Sequence, residues 1–191
     1  IIFGAHPLAC AYIAVLPSRV WIALLGSCVG SLTLGRDARL SDVSSSSSSG
    51  NRASGGITVY NSGSVTMLPG SAVANCRNLF VNESNAAAVG AGILIDNGFG
   101  YFRGGTVSGC RAYRAGGVFA GNNSVVEISG DFSVTGNFAL DDSASDMVVE
   151  SDSSLILKDK LDGSVAINGG IHTDEYIFGI LSPDFAGENE S

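Results

Sequence analysis

Residues 116–137 read GGVFAGNNSVVEISGDFSVTGN, and residues 55–76 read GGITVYNSGSVTMLPGSAVANC. Laid over each other without a gap, at an offset of 61 residues (116 minus 55), they place glycine on glycine and apolar residue on apolar residue. Within each stretch, apolar residues alternate with small or polar ones, which predicts short strands with one buried face. Self-similarity of this kind indicates a repeat protein, in which each unit buries its apolar face against its neighbours.

Two further copies extend the repeat. Residues 91–110 read AGILIDNGFGYFRGGTVSGC, and a looser unit at residues 147–167 contains MVVE, SLILKD and SVAI. Each unit therefore holds three predicted strands separated by turn residues, which is the layout of a parallel β-helix of three to four coils. With two residues missing from the first turn of the 91–110 copy, the expected alignment stacks Ile93 on Ile57 and Val118, Phe99 on Val65, Tyr101 on Met67, and Val107 on Val73.

Composition excludes several classes of protein. The 191 residues include 26 glycines but only 15% charged residues, against roughly 25% in typical soluble domains, which argues against a helical bundle or a coiled coil. The net charge of −8 makes a nucleic-acid partner unfavourable. Only two histidines are present, His6 and His172, so histidine-based catalysis and histidine-rich metal sites are poorly supplied. We expect no metal and no cofactor.

The first 54 residues differ from the repeats. Residues 1–35 are apolar, with Arg19 ahead of the stretch from Val20 to Leu34, which is typical of a signal peptide or signal-anchor. Within it, Leu25-Gly26-Ser27-Cys28 resembles a bacterial lipoprotein signal, which makes Cys28 a candidate lipidation site; the alternative is an ordinary signal. Residues 36–54 include six consecutive serines and are expected to form a disordered linker.

The charge is concentrated at the other end of the chain. Residues 1–120 carry eight Lys/Arg and four acids, a sum of +4, whereas residues 121–191 carry two lysines and fourteen acids, a sum of −12. We therefore expect the repeat domain to span residues 55–168 and an acidic tail to follow at 169–191. A membrane is contacted only through the N-terminal leader in this interpretation.

The last copy of the repeat carries a family resemblance. AGGVFAGNNSVVEISGDFSVTGNFA, at residues 115–139, is similar to the repeats of polymorphic outer-membrane and adhesin-like bacterial surface proteins. Their Gly-Gly-Ala-Ile-like opening corresponds to Gly116-Gly117-Val118 and their Phe-x-x-Asn-like close to Phe132 through Asn137. LILKDKLDGSVAI, at residues 155–167, resembles the unit that closes such arrays. The resemblance implies a right-handed parallel β-helix with the pectin-lyase-like superfold, in an extracellular or cell-surface location.

Two cysteines replace the closing asparagine in the earlier units. Cys76 and Cys110 occupy equivalent positions in neighbouring coils, at a separation compatible with a disulfide. In an oxidising compartment they are a candidate disulfide; otherwise they form a buried ladder of thiols. Neither alternative is catalytic, because no CxxC motif and no nearby histidine accompanies them.

Each cysteine is followed by an arginine, and these are the candidate binding residues. Arg77 and Arg111 are expected to stack and to line a strip facing an anionic glycan; the alternative is that they are solvated turn residues. The acidic residues Asp141, Asp142 and Asp146 match no established calcium loop, which favours a solvated acidic turn over a calcium site.

These observations predict a non-enzymatic, adhesin-like protein at the cell surface or secreted, with a glycan or a molecule of a host or neighbouring cell as partner. One alternative is a polysaccharide lyase or hydrolase of the pectin-lyase-like type, which would need a cluster of carboxylates beside a basic residue. Another is a structural spacer from a longer array of repeats.

Overall fold

The protein is built from short strands. A computed structural model describes residues 30–45, 55–79, 89–163 and 165, and over these ranges the chain forms seventeen strands and no helix. The described part accordingly contains no helix that could cross a membrane. The expectation of an all-β chain is confirmed for these residues.

The strands form four sheets, A to D. Sheet A contains β1 (Ser31–Leu34), β5 (Ser64–Met67), β9 (Phe99–Phe102), β13 (Val125–Gly130) and β17 (Ser154–Leu161). Sheet B contains β2 (Arg39–Ser41), β6 (Ala72–Ala74), β10 (Thr106–Ser108) and β14 (Ser133–Val134). Sheet C contains β3 (Ser44–Ser45), β7 (Arg77–Asn78), β11 (Arg111–Ala112) and β15 (Phe138–Ala139). Sheet D contains β4 (Ile57–Tyr60), β8 (Ile93–Asp96), β12 (Val118–Gly121) and β16 (Met147–Val149).

The chain visits the sheets in a fixed order. Successive strands lie in sheets A, B, C and D, after which the chain returns to A, and every pairing between these strands is parallel. In sheet A the partners at positions 31, 64, 99, 125 and 154 are 33, 35, 26 and 29 residues apart. Each circuit is one unit of the repeat. A unit has four strands rather than the predicted three, because the two-residue strands of sheet C are too short to show an alternating pattern.

The first unit begins earlier than the sequence suggested. Residues 31–45, which were assigned to the leader and the disordered linker, form β1, β2 and β3. Leu32 and Leu34 are buried and pair with two core positions of β5, so their alternation with Ser31 and Thr33 marks a genuine strand. The predicted boundary at Gly55 is therefore wrong. Residues 1–29 and 46–54, including Cys28, and the tail at 169–191 lie outside the described residues.

The predicted stacking in sheets B and D is confirmed. Ile93 pairs with Ile57 on one side and Val118 on the other, and all three side chains are buried. Val107 likewise lies between Val73 and Val134 in sheet B. The units therefore stack in the register that the repeat implies.

The expected register of β9 is wrong by one residue. Gly100, rather than Phe99, pairs with Val65, and Phe102, rather than Tyr101, pairs with Met67. The turn before β9 is one residue shorter than its counterpart, not two (93 to 100 is seven residues; 57 to 65 is eight). Because a shift of one residue exchanges the two faces of a strand, Phe99 and Tyr101 face outward.

One apolar core runs through all the units. It takes alternate residues from the strands, and the buried ring of Phe102 stacks on that of Phe132 at a centroid distance of 4.6 Å. A smaller apolar cluster lies on the opposite face of sheet D, around Leu94, Phe119 and Val148. No single unit could bury these faces alone, so the stack is stabilised by contacts between units.

Asparagines form the corner between sheets D and A. Asn61, Asn97 and Asn122 each follow a strand of sheet D and adopt positive φ angles of 51°, 56° and 54°. Asparagine tolerates this left-handed conformation better than other residues with a side chain, which explains the turn at the same point of successive units.

Candidate functional site

The outer face of sheet C places two arginines in one row. Arg77 pairs with Arg111, and Arg111 pairs with Phe138 in the next unit. Alternation along these short strands buries Asn78, Ala112 and Ala139 and turns the preceding residue outward. The predicted stacking of Arg77 and Arg111 is therefore confirmed, although the sequence gave no sign that an aromatic ring continues their row.

Exposed apolar side chains gather on the same face. Among the described residues, the large hydrophobic side chains with substantial exposure are Leu79 (49%), Tyr113 (42%) and Phe138 (38%). Leu79 and Tyr113 each lie two residues after a stacked arginine, and Phe138 continues the arginine row. We call the set Arg77, Leu79, Arg111, Tyr113 and Phe138 the arginine–aromatic face.

The two arginines differ in their surroundings. The guanidinium of Arg111 forms an ion pair with Asp142 and lies 5.6 Å from the centroid of the Phe138 ring. Asp142 has a side chain that is 76% exposed, so the ion pair stands in solvent. Arg77 is exposed and forms no ion pair with another described residue. The face therefore presents one open cation and one whose charge is balanced.

Two buried thiols lie directly before the arginines. Cys76 and Cys110 are both free and fully buried, and their sulfurs lie 3.5 and 3.4 Å from the carbonyl oxygens of Ala74 and Ser108. The pKa of Cys110 is raised because its thiol donates a hydrogen bond to Cys76 and because it is buried. Of the two alternatives drawn from the sequence, the structure contains the thiols rather than the disulfide.

The third unit has Asn137 at the cysteine position. Its side-chain oxygen accepts a hydrogen bond from the Cys110 N–H at 3.0 Å, and its Nδ2 donates to the carbonyl oxygen of Val107 at 3.0 Å. The backbone N–H and Nδ2 of Asn137 both donate to Asp146 Oδ1 at 2.8 Å. Asparagine thus joins neighbouring units with bonds that a thiol could not make.

Asp146 corrects the interpretation of the acidic segment. Asp141 and Asp142 are exposed, as expected for a solvated turn, but Asp146 is only 5% exposed. Its partner Asn137 lies nine residues earlier in the chain and is also buried. Among the described residues there is no group of three or more His, Cys, Asp and Glu side chains that could hold a metal ion.

Acidic and basic side chains elsewhere pair rather than cluster. Arg114 forms an ion pair with Glu150 at 3.2 Å and lies 5.6 Å from the centroid of the Phe119 ring. Lys158 lies 3.7 Å from Glu127 on the outer face of sheet A. Both histidines and Glu83, which a catalytic interpretation would have to consider, lie outside the described residues.

Comparison of the chain with models of known protein families, with curated proteins and with solved structures gives no significant match. The argument for function consequently depends on the arginine–aromatic face and on the stack that presents it.

Proposed function

We propose that the protein is an exported, non-enzymatic, adhesin-like protein, located at the cell surface or secreted, in which a right-handed parallel β-helix presents the arginine–aromatic face to a ligand. The repeated circuit through four parallel sheets supports the β-helix. A right-handed path is favoured because connections between parallel strands of twisted sheets are almost always right-handed.

The observation that carries this proposal is the composition of one surface. Three successive units contribute two arginines and three exposed apolar side chains to the outer face of sheet C. Exposed apolar side chains gathered in one place mark interaction sites more often than general surface, and arginine and tyrosine are common in binding interfaces. A structural spacer has no need of such a surface.

A polysaccharide lyase or hydrolase is less well supported. That chemistry would use carboxylates grouped beside a basic residue, whereas Asp142 and Glu150 each pair with a separate arginine. A sensitive lyase assay on the full chain, with acidic polysaccharides as substrates, should detect no unsaturated product. Turnover that depends on either carboxylate would replace the binding function with an enzymatic one.

Export tests the proposal directly. A reporter fused to the C-terminus of the full chain should be found outside the cytosol, and replacing Leu24 and Leu25 with Asp should retain it there, because charges disrupt the apolar leader. As a matched control, Ser48→Asp and Ser49→Asp add the same two charges in the serine run and should leave export unchanged. A wild-type fusion that stays soluble in the cytosol with its leader uncleaved would overturn the proposal.

A further inference from the structure

We infer that the arginine–aromatic face binds a sulfated glycan lying along the axis of the stack, and that Asp142 determines its specificity by competing for Arg111. This inference rests on the proposed function, since it names the ligand of the face described there. It concerns recognition by side chains and involves no covalent step.

The face offers two rows that a linear polymer can follow. Arg77, Arg111 and Phe138 occupy the same position in three successive strands of sheet C, and strands of a sheet lie about 4.8 Å apart, so this row extends for about 10 Å. Leu79 and Tyr113 form a second, apolar row beside it. A chain of sugar rings presents anionic groups along one edge and an apolar C–H face, which match the first and second rows respectively.

The difference between the two arginines implies a selective site. Asp142 is tethered next to Arg111, where its effective concentration is on the order of millimolar, so a weakly bound single carboxylate cannot displace it. A ligand with many sulfate groups can first bind the open Arg77 and then compete for Arg111. The Asp142 carboxylate thus sets a threshold of charge density that favours sulfated over carboxylated polymers.

The sheet itself argues for a glycan rather than an extended peptide. The N–H groups of Arg77, Arg111 and Phe138 already donate to carbonyl oxygens of the neighbouring unit at 2.8–2.9 Å, so the face has no free strand edge to which a peptide could add. A nucleic acid is disfavoured by the net charge of −8, which repels a phosphate backbone. An acidic protein remains an outcome of the test.

The experiment compares polymers that share one backbone. Binding of the full chain to immobilised dextran, carboxymethyl-dextran, dextran sulfate and poly-L-glutamate is measured for the wild type and for Arg77→Gln, Asp142→Asn and Arg103→Gln. Arg103 is an exposed arginine in the turn between β9 and β10, so Arg103→Gln changes the net charge as Arg77→Gln does but leaves the face intact. Circular dichroism confirms that each variant is folded.

We expect the wild type and Arg103→Gln to bind dextran sulfate, carboxymethyl-dextran to bind at least about tenfold more weakly, and dextran not to bind. Arg77→Gln should weaken dextran sulfate binding by about tenfold or more, and Asp142→Asn should strengthen carboxymethyl-dextran binding by several fold, because the internal competitor is gone. The inference is overturned if dextran sulfate does not bind, if Arg77→Gln and Arg103→Gln behave alike, or if poly-L-glutamate binds as well as dextran sulfate. Each of these results leaves the export assay, and with it the surface location, unaffected.

Discussion

The hydrogen-bond network around Asn137 gives the sharpest prediction about stability. Replacing Asn137 with Ala removes the acceptor used by the buried N–H of Cys110 and one of the donors to the carboxylate of Asp146. An unsatisfied buried N–H costs about 1–3 kcal/mol, and a hydrogen bond to a charged group contributes about 1.5–3 kcal/mol. The carbonyl oxygen of Val107 also accepts from the N–H of Thr135 at 3.2 Å, so its loss adds little.

The expected loss in the free energy of unfolding is therefore about 3–5 kcal/mol, a large part of the roughly 5–15 kcal/mol typical of a domain. Urea denaturation of the full chain, followed by far-UV circular dichroism, measures it. Thr135→Ala is the matched control, because its exposed side chain lies two residues away, and should change stability by no more than about 0.5 kcal/mol.

A double-mutant cycle separates the bond from the cavity. Asn137→Ala and Asp146→Ala, alone and together, should show a coupling of about 1–3 kcal/mol, as expected for residues within one network. A loss below about 1 kcal/mol in Asn137→Ala, together with no measurable coupling, would refute the conclusion that Asn137 joins the units through these bonds.

Three other perturbations follow from the same structure. Val126→Asp should prevent cooperative folding, because Val126 is completely buried and the substitution places an unpaired charge within the stack; a cooperative unfolding transition in this variant would contradict the core described above. Cys76 and Cys110 should resist a thiol reagent in the native protein and react only after unfolding, since both are fully buried; rapid labelling of the folded chain would show that the thiols are accessible. The pKa of Asp141 should lie below its usual value, because the Ser143 hydroxyl donates to its carboxylate at 2.6 Å; NMR titration should show Ser143→Ala moving it back, and the small stabilisation from this bond should be present above the unfolded-state pKa and lost as the pH falls through the lowered one. An unchanged pKa in that variant would assign the shift to another cause.

The sequence predicts the stack well wherever the repeats keep their length. Ile57, Ile93 and Val118 are found in line because glycines precede each of them at the same spacing, and a pattern with a period of two then fixes which side chains face inward. The prediction fails at β9, where the turn loses one residue instead of two. Because both Phe99 and Phe102 are apolar, the pattern alone could not choose between the two registers.

The first unit was missed because composition outweighed pattern. Its strands are two to four residues long and rich in serine, which is the composition of a linker, and they are stabilised by pairing with the second unit rather than by their own apolar content. Leu32, Leu34 and Leu40 are the residues from which this unit could have been recognised, since each lies at a core position.

The candidate site was predicted in part. The adjacent arginines follow from the alignment, because Arg77 and Arg111 occupy the same place in their units. Phe138 was hidden from that reasoning, since it replaces arginine at the third position, and Asp142 reaches Arg111 from a turn whose path no local pattern predicts. Burial of Asp146 likewise depends on Asn137, a partner that becomes visible only once the units are stacked.

The measurement that tests the central claim most directly is a methyl–methyl NOE spectrum of the full chain with labelled isoleucine and valine. The account holds that successive units stack in register, which is the condition for residues from three units to form one face. It predicts cross-peaks between Ile57 and Ile93 and between Ile93 and Val118, which occupy neighbouring strands about 4.8 Å apart, and none of comparable strength between Ile57 and Val118, which are separated by about 10 Å. Absence of the two neighbouring cross-peaks in a folded sample would contradict the stack and the arginine–aromatic face with it.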